Sequence, residues 1–216
     1  MWRKVPNVKS EQKLSDKDTK KLQADAIRKL HISPEQAAEL LPRKPGLSVQ
    51  KCGGGMTARI FTSEQRAVAF DPGDGGVVYT LSSVWRMPAG TFPTLHVPDP
   101  IAGVLIGGSD LMLPGVHGLS LPDGADADAL LAVGNIACVA IFGNPAPLAV
   151  GRLLMGRAEI EAQLSSPGSI KGKCLAPLHV FGDYLWQSSG AALPNAGFVV
   201  TEEGKEVLHR NPMFSR

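Results

Sequence analysis

Cysteine is scarce here, and its placement removes two large classes of protein at once. Cys52, Cys138 and Cys174 are odd in number, far apart and outside any C-x-x-C pair. Such a set supports neither a disulfide framework nor a zinc site. Histidine is equally dispersed: His31, His96, His117, His179 and His209 include no pair at metal-ligand spacing. Long apolar runs are missing too. The longest, residues 129–142, is interrupted by Gly134-Asn135 and is too short to span a bilayer. Met1-Trp2-Arg3-Lys4 lacks the apolar core of a signal peptide, so no membrane association is expected and the reducing cytoplasm is the expected setting.

The chemistry of catalysis is thin as well. Gly107-Gly108-Ser109 is not a nucleophile elbow, because Asp110 is followed by Leu111. The three glycines at 53–55 are not followed by the Lys-Ser/Thr and helix of a phosphate loop, and they read as a hairpin turn. Asp71 and Asp74 lack the remaining ligand positions of a calcium loop. Asp123, Asp126 and Asp128 lie in an Ala-rich stretch and read as surface charge rather than a metal cluster. His179 near Asp183 fits a structural hydrogen bond better than a catalytic dyad. No catalytic residue, metal site or cofactor is assigned, and an enzyme is not expected.

What is present is an uneven charge. The whole chain of 216 residues has a net charge of only +2. Residues 1–93 carry 15 Lys/Arg against 9 Asp/Glu, or +6, whereas residues 94–186 carry 4 against 8, or −4. The first part is therefore the stronger electrostatic candidate for nucleic acid.

The local signals describe an α+β chain in two domains. Residues 1–14 are basic and read as an arm or an early strand. Ser15 with Asp18 opens a helix carried by Leu22, Ala26, Ile27 and Leu30, and Ser33-Pro34-Glu35-Gln36 opens a second through a capping box. From Leu47 the pattern alternates, predicting strands over 47–52, 56–61, 66–70 and 77–81, then a short helix to Met87. The lysines at 17, 20, 21 and 29 form either an RNA patch or a solvated helix face. Pro88, Gly90 and Pro93 mark the boundary, giving domains over 1–93 and 94–186. In the second domain, Asp99 and Pro100 begin a short apolar helix to Ile106. Gly107-Gly108 breaks it, a brief strand follows, and Pro114-Gly115 predicts a type II turn. Strands over 136–142 and 148–155, a helix over 158–164, and a last strand ending at Val180 complete the pattern, with 182–186 as a barrel cap. Residues 187–216 lack a sustained period and are expected to form a flexible tail.

Several spaced motifs point further. Asp99-x-x-Ala102, the run Gly107-Gly108-Ser109-Asp110-Leu111-Met112-Leu113-Pro114-Gly115-Val116, Gly143-Asn144-x-Ala146-Pro147-x-Ala149-x-Gly151 and Leu178-His179-x-x-x-Asp183-x-Leu185-Trp186 occur in order. Together with Thr80-Leu81, Trp85 and Pro88, they resemble the ligatin and malignant T-cell-amplified-sequence family over residues 10–186. The resemblance implies a mixed α/β pre-PUA domain followed by a PUA-type β pseudo-barrel. It also implies a non-catalytic, RNA-binding translation factor acting on the small ribosomal subunit. Such a factor assists tRNA placement or release in initiation, reinitiation or recycling. The partners implied are small-subunit rRNA, tRNA and a protein with an initiation-factor-1-like domain. The rival readings are an RNA-modification protein using PUA to hold substrate and a protein-interaction adaptor.

By the same resemblance, RNA contact falls on Gly107, Gly108, Ser109, Leu111, Met112, Gly115, Arg152, Lys171 and Lys173. The glycines would admit phosphate or ribose to backbone N–H groups, and the cations would neutralise phosphates. Met112 would offer a base a deformable apolar surface, with core packing as its other reading.

Overall fold

The computed structural model describes residues 2–54, 57–74, 76–168, 170–200 and 207–209. They divide into two units. One comprises Trp2–Met87 with Asp183–Ala192, and the other comprises Pro88–Gly182 with the described residues from Leu193 onward.

The first unit is built on an antiparallel sheet of five strands in sequence order: β1 (Val8–Lys13), β2 (Ser48–Cys52), β3 (Arg59–Ser63), β4 (Arg66–Asp71) and β5 (Val78–Tyr79). Helices α1 (Asp16–Leu30) and α2 (Pro34–Leu40) stand between β1 and β2, and α3 (Leu81–Val84) follows β5. Both long helices start as their sequences dictate. Ser15 accepts the Asp18 N–H at 3.1 Å. Ser33 and Gln36 close the capping box, with the Gln36 N–H on Ser33 Oγ at 3.2 Å and the Ser33 N–H on Gln36 Oε1 at 2.8 Å. The strand predicted over 77–81 is shorter, because Thr80 turns inward. Its buried hydroxyl donates to the Ala67 and Val68 carbonyls, and Leu81 begins α3. Gly55 and Met56, at the predicted start of β3, lie outside the described residues. Among the basic first residues, Trp2 is structural: it is buried edge-on against Phe70, with centroids 5.6 Å apart.

The second unit holds a six-stranded sheet in the order β7-β11-β10-β9-β6-β8. In chain order its elements are β6 (Thr94–Val97), α4 (Pro100–Ile106), β7 (Leu111–Met112), β8 (Gly118–Ser120), α5 (Ala127–Leu130), β9 (Ile136–Ile141), β10 (Ala149–Leu153), α6 (Arg157–Ser165) and β11 (Lys173–Val180). β6 and β9 are parallel, and the other neighbours are antiparallel. The outer strands β7 and β8 are joined through a 3-10 turn, Leu113–Gly115, which folds the sheet round into a pseudo-barrel. β9 fills its centre: Ala137, Cys138, Val139, Ala140 and Ile141 are all buried, as a run apolar on both faces requires.

Three local expectations are corrected. Asp99 does not cap α4 through its side chain; its own backbone is already helical, and its carbonyl accepts the Ala102 N–H. Pro114-Gly115 makes the 3-10 turn rather than a type II turn, closed by Val116 N–H on the Leu113 carbonyl at 2.9 Å. The segment after Gly182 does not cap the barrel. Asp183 instead caps α7 (Tyr184–Ser188), whose Leu185 and Trp186 are buried and which packs on β4 of the first unit.

Residues 187–200, read from sequence as the start of a flexible tail, are tied down. Asn195 exchanges side-chain hydrogen bonds with Asn144 at 2.8 and 3.3 Å. Phe198 is buried edge-to-face on Phe181, 4.7 Å between centroids. β12 (Phe198–Val200) pairs with β13 (Val207–His209), and β13 lies against α4. Two aromatic rings and an amide pair supply an anchor that periodicity does not register. Residues 201–206 and 210–216 lie outside the described residues.

Candidate nucleic-acid interface

The glycine pair ends α4 in a Schellman arrangement. Gly108 adopts φ +78°, a left-handed conformation that glycine enters without a Cβ penalty. The chain reversal lets the Ser109 N–H reach back to the Val104 carbonyl at 3.2 Å and the Gly108 N–H to Leu105 at 2.7 Å, while the Gly107 N–H bonds Gly103 at 2.9 Å. All three amide donors are therefore used inside the fold. The expected contact from these N–H groups to a phosphate is not available. What the corner presents is a smooth, exposed backbone knuckle with no side chain at two successive positions.

From the knuckle the chain enters β7, where alternation separates two neighbours. Leu111 is 1% exposed and belongs to the core, whereas Met112 is 48% exposed. Leu111 is thus removed from the RNA-facing set, and core packing is excluded as the reading of Met112. The two-residue period decides this, because one face of β7 covers the barrel interior. Gly115 sits in the 3-10 turn beside Ile101 and Leu111 and is only partly exposed.

β11 completes the surface. Lys173 lies directly opposite Met112 in the ladder, and the Gly172 carbonyl accepts the Leu113 N–H at 2.8 Å, which sets the exposed Lys171 just beyond the strand end. Buried Gln163 of α6 holds the same corner from behind: its Nε2 donates to the Pro114 carbonyl at 3.4 Å, and its Oε1 accepts the Gly168 N–H at 2.9 Å. Arg152 stands elsewhere. It is on β10, and its Nη1 donates to the Gly134 carbonyl at 2.7 Å, in the loop leading into β9.

A residue that the sequence reading did not assign enters the site. Asp110 Oδ2 lies 2.7 Å from Lys173 Nζ. The hydrogen bond from this carboxylate, and then its charge, raise the Lys173 pKa above the ordinary lysine range. Lys173 is therefore a compensated cation. Lys171 forms no ion pair among the described residues.

The residues over 2–88 match the pre-PUA-like domain family, and residues 92–184 match the family described as eIF2D, PUA domain. The chain belongs to the pre-PUA–PUA family that includes eukaryotic translation initiation factor 2D. Mouse eukaryotic translation initiation factor 2D is 31% identical over 91% of this chain and 33% of its own length. Translation machinery-associated protein 20 of Eremothecium gossypii is 29% identical over 70% of this chain and 77% of its own. This pre-PUA–PUA chain spans about a third of the length of the mammalian relatives it matches. Among solved structures, a PUA-domain protein of Aeropyrum pernix gives a TM-score of 0.64 at 18% identity, covering 86% of this chain and 97% of its own. A Pyrococcus horikoshii protein gives 0.61 at 18% identity, over 84% of this chain and 100% of its own. These two likenesses concern the fold. Among the described residues, no helix is long and apolar enough to cross a membrane.

Proposed function

We propose that this pre-PUA–PUA chain is a non-catalytic, RNA-binding part of the translation machinery. It acts on the small ribosomal subunit and assists tRNA placement or release in initiation, reinitiation or recycling, in the cytoplasm. The observation that carries the reading is the exposed Met112 set opposite Lys173, beside Lys171 and next to the side-chain-free Gly107-Gly108 knuckle. Met112 suits the face of an unstacked base, the knuckle lets a ribose approach the backbone closely, and Lys171 neutralises phosphate. The names of the relatives, a translation initiation factor and a translation machinery-associated protein, support the process. A protein partner carrying an initiation-factor-1-like domain belongs to the same proposal.

Co-sedimentation of the chain with purified small ribosomal subunits tests it. Retention that falls with added salt and with Lys171→Glu is the expected result, and absence from the subunit pellet at low salt overturns it. A protein-interaction adaptor is the second reading, favoured by the net charge of −4 over 94–186 and by the compensation of Lys173. It predicts a stable protein complex free of RNA.

A further inference from the structure

The first unit carries a separate cationic surface at one end of its sheet. Strand register sets Ser10, Lys51, Arg59 and Asp71 side by side across β1, β2, β3 and β4. Directly opposed residues in an antiparallel ladder share a face, so Lys51 and Arg59 are like charges held next to each other, an arrangement that lowers stability. The single acid in this row is already committed. Asp71 Oδ2 accepts from Arg59 Nε at 3.1 Å and from Nη2 at 2.6 Å, and its Oδ1 accepts the Gly73 N–H at 2.8 Å. The Arg59 guanidinium also lies over the Phe61 ring, 5.9 Å from its centroid, which fixes the plane of its remaining donors. Lys51 is exposed and forms no ion pair among the described residues.

A third cation is delivered by an irregularity. The β1–β2 register shifts between Val8 and Ser10, so Lys9 is the extra residue of a bulge, a device that re-aims a side chain. Its stem runs across Gly53: a Cβ there would fall 2.6 Å from Lys9 Cγ and 2.9 Å from Cδ, so a side chain at this position would displace the stem from its present path. The Gly53 N–H holds the bulged strand by donating to the Asn7 carbonyl at 2.7 Å. Glu11, the acid of β1, is opposite Gln50, one pair further along and therefore on the other face, where it accepts from Gln50 Nε2 at 3.2 Å.

We propose that Lys9, Lys51 and Arg59 form a phosphodiester-binding site for RNA in the pre-PUA domain, additional to the PUA surface. Three cations against one committed acid, with two of them opposed in a ladder, make a surface that a polyanion relieves. A glycine and a bulge spent on aiming Lys9 point to a ligand rather than to solubility. RNA is the polyanion that the function proposed above supplies, and the inference rests on that reading. Arg59 presents its free guanidinium edge to phosphate oxygens, and the two lysines act as point charges.

The test is titration of the full chain into fluorescein-labelled tRNA over a range of salt concentrations. Lys9→Gln/Lys51→Gln lowers the slope of log affinity against log salt by about 1–2, at roughly 0.7–0.9 per phosphate contact. Lys9→Arg/Lys51→Arg keeps the wild-type slope, and the glutamine variant melts at or above the wild-type temperature because the opposed charges are gone. Gly53→Ala, which displaces the Lys9 stem without removing a charge, weakens binding in the wild type but not in Lys9→Gln. Lys171→Gln is measured in parallel. If it weakens binding while Lys9→Gln/Lys51→Gln does not, this site is overturned and the PUA reading stands. If the reverse holds, this site is supported and the PUA surface is not. A wild-type chain that binds no tRNA at low salt overturns both, as does binding of polyglutamate in preference to tRNA for this site.

Discussion

The Lys173 ammonium lies 2.7 Å from the Asp110 carboxylate, so one of the two late lysines of the PUA domain reaches the surface already paired. Asp110 belongs to the Gly-Gly-Ser-Asp run and Lys173 to β11, more than sixty residues later. The pair joins the glycine corner to the last barrel strand. On the function proposed above, it leaves Lys171, rather than Lys173, as the cation free to meet a phosphate.

Asp110→Asn should therefore tighten RNA binding and steepen the salt slope by up to about 0.9, the value of one released cation on duplex-like RNA. Lys171→Gln should weaken binding more than Lys173→Gln does. Fluorescence anisotropy with labelled tRNA at several salt concentrations measures both. Weaker binding by Asp110→Asn would mean that the carboxylate orients Lys173 for RNA instead of competing for it.

The same pair has a defined pH signature. The folded-state pKa of Lys173 is raised, first by its hydrogen bond to Asp110 and then by that group's charge. Its contribution to stability is fully present below the ordinary lysine range and is lost as the pH rises through the raised value. Melting temperatures of wild type and Asp110→Asn should differ by a constant amount near neutrality and converge as the pH rises into strong alkali. Convergence on acidification from pH 8 to pH 6 would contradict this assignment.

Two glycines of one helix should respond oppositely to alanine. Gly108 holds φ +78° at the Schellman position, and a Cβ there costs roughly 1–2 kcal/mol. Gly103 is helical, and a Cβ there meets nothing within 4 Å. Gly103→Ala should stabilise by about 0.4–1 kcal/mol. Urea unfolding of the two variants gives both signs directly.

Adjacent residues of β7 should separate stability from binding. Leu111→Ala empties a core position and should cost about 2–5 kcal/mol. Met112→Ser should change stability by less than about 0.5 kcal/mol, while weakening RNA binding. Equal destabilisation by the two would show that Met112 packs rather than presents.

The thiols should be inert in the folded chain. Burial pushes Cys138 up to about 12, and burial together with Glu159 does the same for Cys174. The thiolate is the reactive form, so both should resist iodoacetamide at pH 8 until the chain is unfolded. Mass spectrometry of alkylated peptides, with and without guanidinium, decides the matter.

Much of this protein is written in its sequence, wherever the determining interaction is short-range. The capping box of Ser33 and Gln36 forms as its spacing requires, and residues 137–141 are buried because they are apolar on both faces. The ordered motifs were enough to indicate a pre-PUA domain and a PUA domain. Other features depend on partners distant in the chain, and no local period encodes them. Register between β7 and β11 faces Met112 outward and Leu111 inward, and it brings the side chains of Asp110 and Lys173 together. Closure of the Schellman turn consumes the amide donors that a free glycine pair would have offered to RNA. Asn195 and Phe198 anchor a segment that composition alone marks as tail, because burial depends on Asn144 and Phe181 being there to receive them. The bulge at Lys9 and its passage over Gly53 exist only once two strands have paired. Residue type and spacing determine which elements form, but a surface is made of side chains brought together by register. Register is settled by the packing of the whole sheet.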